Sequence, residues 1–410
     1  MTALEVEIDP AEVGFDPDRL ARIDRHFTRY VDDGRLAGWL LAVARHGQVT
    51  HVAHAGQRDT EDGLPIETDT LFRIYSMTKP VTSVAAMMLY EEGAFALKDP
   101  VSAWIPAFAD VQVFRSGSGP TLETEPATEP LRIWHLLTHT SGLTYGFHRA
   151  HPVDAMYRDH GYDFGQPAGV DLAAACETWA SLPLLFQPGS EFNYSVATDV
   201  LGHLIEVISG QSLAEFFALR ILGPLGMVDT TFGVDDDQRH RLAGLYVPGE
   251  GQRATRFDEI GPVAHGRPTF LSGGGGLVST AADYLRFADL LRRRGEVDGV
   301  RLLSDRTVRY MTANHLPGGV DLEQFGRPLF AETTYDGVGF GLGFAVTLDP
   351  VKNRVLGSAG EYSWGGAAST AFWVDPVEDV TAVFLTQLLP SSTHPLRSEL
   401  KVLVTQALVG

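Results

Sequence analysis

LFRIYSMTKPVTSVAAMMLYEEG, residues 71–93, is the stretch whose reading decides the fold. Val81, Val84, Ala85, Met88 and Leu89 recur at helical spacing, so it predicts a helix from about Ser76 that stops at Gly93. Ser76 and Lys79 are three residues apart at the start of that helix and share one face. The positive helix end and burial both lower the pKa of a lysine. A neutral Lys79 can accept the Ser76 proton and make the hydroxyl a nucleophile. A second Ser-x-x-Lys, Ser398 to Lys401, falls inside a charged C-terminal helix with no helix start to activate it. It reads as a solvated face.

On the N-terminal side, Asp16 can cap a helix whose first turn holds Pro17. Leu20, Ile23, Phe27 and Tyr30 form its stripe, and Gly34 stops it. Gly38 to Arg45, the turn His46-Gly47-Gln48 and Val49 to Ala55 read as a β-hairpin. On the C-terminal side, roughly 95 to 290 is mostly helical with long loops. Short helices are expected over Arg132 to Thr138 and around Val200 to Ile208. A capping box, Ser212 with Glu215, opens another that ends at Gly223-Pro224, and Thr280 with Asp283 opens a fourth. The last hundred residues return to strands: Val338 to Val346, Ala367 to Val374, and Val380 to Thr386, with Asp375-Pro376 in a turn and a final helix over Thr393 to Leu408. Strands at both ends with helices between predict an α+β fold, one antiparallel sheet built from both termini, with a helical domain inserted. The expected division is 1–94 plus 291–410 for the sheet domain and 95–290 for the helical one, with the site in the cleft.

The chain has 410 residues, 44% hydrophobic and 20% charged, which excludes a disordered or coiled-coil protein. Lys and Arg total 32 against 52 Asp and Glu, a net charge of −20, which repels phosphate backbones and argues against nucleic-acid binding. No apolar run reaches a membrane span, and MTALEVEIDPAEV has neither the basic nor the apolar region of a signal peptide. The expectation is a cytoplasmic protein with no membrane partner. The lone Cys176, in the apolar stretch LAAACETWA, excludes an internal disulfide and reads as a buried thiol. Only Lys79, Lys98, Lys352 and Lys401 are lysines, and none follows a glycine, so no phosphate-binding loop exists. GxGxxG, HExxH and GxSxG are absent as well. No metal and no cofactor is expected.

Ser76 needs a second proton carrier and an oxyanion hole. PGSEFNYS, 188–195, supplies Tyr194, and Glu361-Tyr362-Ser363-Trp364-Gly365-Gly366-Ala367 leads into a C-terminal strand. This trio, in this order, resembles the serine β-lactamase and penicillin-binding-protein superfamily. The resemblance runs from about 15 to 390. Besides 71–93, LLTHTSGL (136–143), PGSEFNYS, LGPLGMVDTTF (222–232) and GGGGLVSTAADYLRFA (273–288) look like its class C branch. Within that branch the pattern is most similar to family VIII carboxylesterases. Class C β-lactamases carry Tyr-x-Asn in the second motif, where this chain has Tyr194-Ser195-Val196. They carry Lys-Thr-Gly in the third, where it has Trp364-Gly365-Gly366. Val196 cannot hydrogen-bond an amide side chain, and Trp364 replaces a cation that attracts the antibiotic carboxylate.

The resemblance implies that Ser76 is acylated and that Lys79 and Tyr194 form a proton relay, with the base at each step left open. It places the oxyanion hole at the backbone N–H groups of Ser76 and Ala367. Trp364 walls the site, and Gly365 and Gly366 let the strand approach the substrate. Val196 and Tyr145 complete the candidate substrate pocket. The implied activity is serine carboxylesterase on a small-molecule ester, without metal or cofactor. The rivals are a β-lactamase or D-amino-acid peptidase, an acyltransferase, and an inactive penicillin-recognising sensor. Against the sensor stand the intact Ser76, Lys79 and Tyr194.

His135 and His139, four apart, could share a helix face but lack further metal ligands in pattern, and read as structural hydrogen-bonding groups. The segment from Thr144 to Gly165, with His148 and His151, is rich in Tyr, Phe and His and is a candidate pocket-lining loop. Gly273 to Gly276 reads as tight packing before a helix, and Leu316 to Phe330 as another loop near the site.

Overall fold

The computed structural model describes residues 4–257, 268–327 and 335–409. Its centre is an eight-stranded antiparallel sheet. The strands are β1 (Gly38–Arg45), β2 (Gln48–Asp59), β3 (Leu64–Pro65), β4 (Val338–Phe340), β5 (Ala345–Thr347), β6 (Tyr362–Gly365), β7 (Ala371–Asp375) and β8 (Val380–Thr386). Their spatial order is β4-β5-β6-β7-β8-β1-β2-β3. The N-terminal hairpin therefore joins the C-terminal strands along one ladder, with Leu41 opposite Phe384. This is the α+β fold expected from strands at both termini.

The helices that position the site are α1 (Pro17–Asp32), α2 (Thr78–Glu91), α3 (Ile133–Leu137), α4 (Leu172–Ser181), α5 (Ala197–Ser209), α6 (Ala281–Arg292) and α7 (Leu396–Thr405). β1 is buried at every position because helices cover both faces of the sheet. Its side chains still alternate. Trp39, Leu41 and Val43 enter one core with Phe27 of α1 and Leu400 of α7. Leu40, Ala42 and Ala44 enter the other with Val81 and Val84 of α2. Asp16 caps α1 by accepting from the Arg19 N–H. That cap is worth about 1 kcal/mol. Burying Leu20, Ile23, Phe27 and Tyr30 contributes about 1.5–3 kcal/mol each before entropy, so packing holds the helix.

α2 differs from the amphipathic helix expected: every residue from Thr78 to Leu89 is buried. It lies between the sheet and the inserted helices, packed on α5, so all its faces meet protein. α5 also packs against α3 and α4. α6 packs on β1, β7 and β8, so the domain boundary expected at 290/291 falls inside a helix that belongs with the sheet.

Several expected elements divide differently. The strand expected over Val338 to Val346 is the hairpin β4–β5, because Gly341-Leu342-Gly343 turns the chain. Gly343 has φ +97° and a Cβ on it would lie 2.1 Å from the Ser83 hydroxyl, so only glycine fits there. The strand expected from Ala367 begins at Ala371; Gly366 to Thr370 form the β6–β7 turn, and Trp364 stands on a strand of its own. The helix after Ser212 runs past Gly223-Pro224 through a widened turn and stops at Gly226. No helix among the described residues is long and apolar enough to cross a membrane.

Candidate active site

Tyr75 carries φ +43°, a left-handed conformation that a bulky L residue adopts only under constraint. It opens the short 3-10 turn Tyr75–Met77 that presents Ser76 at the head of α2. Two bonds fix this junction from outside: Tyr284 Oη donates to the Met77 carbonyl at 2.8 Å, and Leu277 N donates to Thr78 Oγ1 at 3.1 Å. Ser76 borders a cavity of about 510 Å³. Tyr145, Tyr194, Val196, Trp364, Gly365, Gly366 and Ala367 border the same cavity. Every expected site residue is thus gathered at one place, with Lys79 beneath Ser76.

Lys79 is 2% exposed. Its Nζ lies 3.3 Å from Ser76 Oγ, 3.0 Å from Tyr145 Oη and 2.7 Å from the Gly274 carbonyl. Burial lowers its pKa to about 7, against the opposing pull of the Asp199 charge. The cause is chiefly desolvation in the packed core. A neutral amine has two N–H bonds and one lone pair. With Gly274 O and Tyr145 Oη taking the hydrogens, the lone pair is left for the Ser76 O–H.

Tyr194 sits in the loop three residues before α5. Its ring lies 4.5 Å from Lys79 Nζ, and its hydroxyl bonds the Ser76 side chain. Trp364 Nε1 donates to the same hydroxyl at 3.3 Å. Burial pushes the Tyr194 phenol well above its ordinary pKa, against those two bonds. It is therefore a phenol, a proton donor, near neutral pH. Among the described residues neither the Ser76 N–H nor the Ala367 N–H has an acceptor, and both residues border the cavity.

Gly366, and to a lesser degree Gly365, meets a packing demand besides bordering the cavity. A Cβ on Gly366 would lie 2.4 Å from the Ile74 carbonyl, and one on Gly365 would lie 2.4 Å from the Arg397 guanidinium carbon. Protein fills the space they leave. Arg397 donates to the Gly366 carbonyl at 2.6 Å and to Thr370 O at 3.0 Å, and it borders the cavity together with Arg73. Trp364 offers no charge at the third motif, yet the cavity wall still contains two arginines.

The segment from Thr144 to Gly165 does line the cavity, through the stacked rings of Tyr145, Phe147 and Phe164. His148 and His151 do not line it. His148 Nε2 lies 2.7 Å from the Tyr194 carbonyl, and His151 caps the helix Pro152–Asp159. His135 and His139 share no helix face, because α3 ends at Leu137 and His139 has φ +54°. His135 Nδ1 accepts from Arg132 N at 3.0 Å. His139 packs on the Tyr194 ring, centroids 4.9 Å apart, and burial with the Lys79 charge holds it neutral. Cys176 is buried as expected. Of Leu316 to Phe330, residues 328–330 lie outside the described residues; Gly326 pairs with Phe192 beside Tyr194, and the described part holds two short helical turns rather than plain loop.

Sequence reasoning missed Asp199, 4% exposed on α5. The signal was there: a lone acid within VATDVLGHLI, five residues after Tyr194. It also missed the second serine–lysine pair's environment. Lys401 is not on a solvated face; it pairs with Glu361, whose side chain is 2% exposed. Among the described residues no group of three or more His, Cys, Asp or Glu could hold a metal ion.

The chain matches the Beta-lactamase family model over residues 23–406. It is 42% identical over 363 residues to protein Rv1367c of Mycobacterium tuberculosis, covering 88% of each chain. It is 33% identical over 405 residues to the esterase EstB of Burkholderia gladioli, covering 94% of each. Among solved structures it is similar to EstCE1, described as a hydrolase with promiscuous acyltransferase activity. There the TM-score is 0.78 and the identity 29%, over 94% of this chain and 99% of that one.

Proposed function

The chain belongs to the β-lactamase family of serine hydrolases, and from that premise we propose that it is a carboxylesterase acting on short-chain acyl esters through an acyl-enzyme on Ser76. The observation that carries the reading is the buried amine of Lys79, 3.3 Å from Ser76 Oγ, with a pKa lowered to about 7. Lys79 takes the Ser76 proton as the oxygen attacks the ester carbonyl. The developing oxyanion is held by the N–H groups of Ser76 and Ala367. The Tyr194 phenol gives its proton to the departing alkoxide and is reprotonated by the Lys79 ammonium, which lies 4.5 Å from its ring and holds the proton taken from Ser76. Water then repeats the sequence on the acyl-enzyme.

Esters are favoured over β-lactams by Val196 and Trp364. Neither offers the amide or the cation that the resemblance associates with antibiotic binding. Loss of a charge-assisted contact costs about 1.5–3 kcal/mol. The similarity to EstCE1 supports acyl transfer as a second outcome at the same acyl-enzyme.

The test is kcat/KM for p-nitrophenyl butyrate beside a chromogenic cephalosporin, with and without an added alcohol. The ester should be turned over far faster. A phosphonate ester should leave one label, on Ser76. Equal or better turnover of the cephalosporin, or unchanged turnover in Ser76→Ala, would sink the proposal.

A further inference from the structure

Asp199 stands behind the Lys79 amine without touching the cavity's reacting groups. Its Oδ1 accepts from Ser272 Oγ at 2.6 Å and from the Gly274 N–H at 3.0 Å. The carbonyl of that same Gly274 accepts from Lys79 Nζ at 2.7 Å. One glycine thus joins carboxylate to amine through the two peptide groups that flank its Cα. The approach is close enough that a Cβ on Gly274 would lie 2.6 Å from Asp199 Oδ2.

We propose that Asp199 is a positioning residue for Lys79: its carboxylate holds the Gly274 N–H and thereby fixes the residue whose carbonyl holds the amine. This rests on the reading of Lys79 as the base for Ser76. The groups facing Lys79 are Ser76 from the 3-10 turn, Tyr145 from its loop, Tyr194 and His139 from the loops before α5 and after α3, and Asp199 from α5. Cys176 of α4 and the two tyrosines also face Asp199. The tyrosines and Cys176 are held protonated by burial, and His139 neutral. Asp199 is therefore the one anion balancing Lys79 among these groups. It holds the lysine's pKa up against desolvation; burial raises the Asp199 pKa as well, and Lys79 and the Ser272 and Gly274 donors oppose that rise and favour the carboxylate.

The experiment compares kcat/KM–pH profiles of wild type, Asp199→Asn and Ser272→Ala on p-nitrophenyl butyrate, with phosphonate labelling of Ser76 in each. Asparagine keeps an oxygen for Gly274 and removes the charge. Its acid limb should move to lower pH by about one unit or more. Ser272→Ala, which removes one donor to the carboxylate, should move it the same way by less. A purely structural Asp199 would lower activity at every pH and leave the limb in place. An unmoved limb, or one displaced to higher pH, in folded Asp199→Asn overturns the proposal. If that variant does not fold, an unmoved limb in Ser272→Ala overturns it. A wild type that neither labels at Ser76 nor turns over the ester overturns the esterase reading instead.

Discussion

The indole Nε1 of Trp364 donates to the hydroxyl of Tyr194 at 3.3 Å. The aromatic that stands in the third motif is therefore tied to the Tyr194 hydroxyl as well as to the pocket wall. Its bond favours the ionised phenol, opposing the burial that keeps Tyr194 protonated. Trp364→Phe keeps the wall against Phe340 and removes the donor. It should lower kcat by about three- to tenfold, the worth of one net hydrogen bond, with KM little changed. Trp364→Ala should also raise KM. Steady-state kinetics on p-nitrophenyl butyrate decide this; a wild-type kcat in Trp364→Phe would show that the contact carries nothing.

Lys79 links activity to pH and to stability. Its pKa of about 7 puts the acid limb of kcat/KM near pH 7, with activity rising above it. The unfolded lysine titrates near ~10.4, so between those values the unfolded chain binds more protons than the folded one. Stability should rise with pH through that window. Lys79→Met should lower kcat by on the order of a hundredfold or more and stabilise the fold by on the order of a few kcal/mol at pH 7. That advantage should fade towards pH 10. Urea unfolding of both proteins at the two pH values measures it, and a constant difference would contradict a buried, deprotonating Lys79.

The parts of this molecule that were legible are those whose cause is local. The hairpin β1–β2 shows in the turn His46-Gly47, and α1 shows in its cap and its 3.6-residue stripe. The hairpin β4–β5 did not show, because its turn, Gly341 to Phe344, is apolar and glycine-rich and looks like more strand; a Cβ on Gly341 would lie 2.1 Å from the Met311 carbonyl, a contact made across the chain. At the site, Ser76, Lys79, Tyr194 and Trp364 are marked by residue type and motif order. The Gly274 carbonyl that holds Lys79 is a backbone atom and leaves no mark on the sequence. Arg397 reaches Gly366 only through the way α7 docks beside β6.

Lys401 and Glu361 form an ion pair that anchors the start of β6, three residues before Trp364. Burial raises the Glu361 pKa to about 7 even with the lysine present. Lys401→Met removes the partner and pushes that pKa higher. The folded state then holds a proton that the unfolded chain releases above ~4.3, so stability should fall as pH rises from 5 to 8. A loss of about 3–5 kcal/mol is expected where the carboxylate would be buried unpaired. Denaturant unfolding at both pH values tests the sign, and an equal loss at pH 5 would show that Glu361 is not the cause.

Lys79 and Tyr194 should behave as one unit. Both contact the Ser76 side chain, and the amine sits 4.5 Å from the phenol ring. In the proposed mechanism each proton that leaves Ser76 for Lys79 is matched by one that reaches the leaving group from Tyr194, so breaking either link stops the same circuit. Lys79→Ala and Tyr194→Phe should each lower kcat by on the order of a hundredfold or more, as loss of a general acid or base does. The double variant should be far less than multiplicatively worse, because groups that act together are non-additive. The four kcat values of the cycle, measured on one ester at the pH of the wild-type plateau, decide it. Losses that multiply would mean two independent contributions, with Tyr194 serving the substrate rather than the proton transfer.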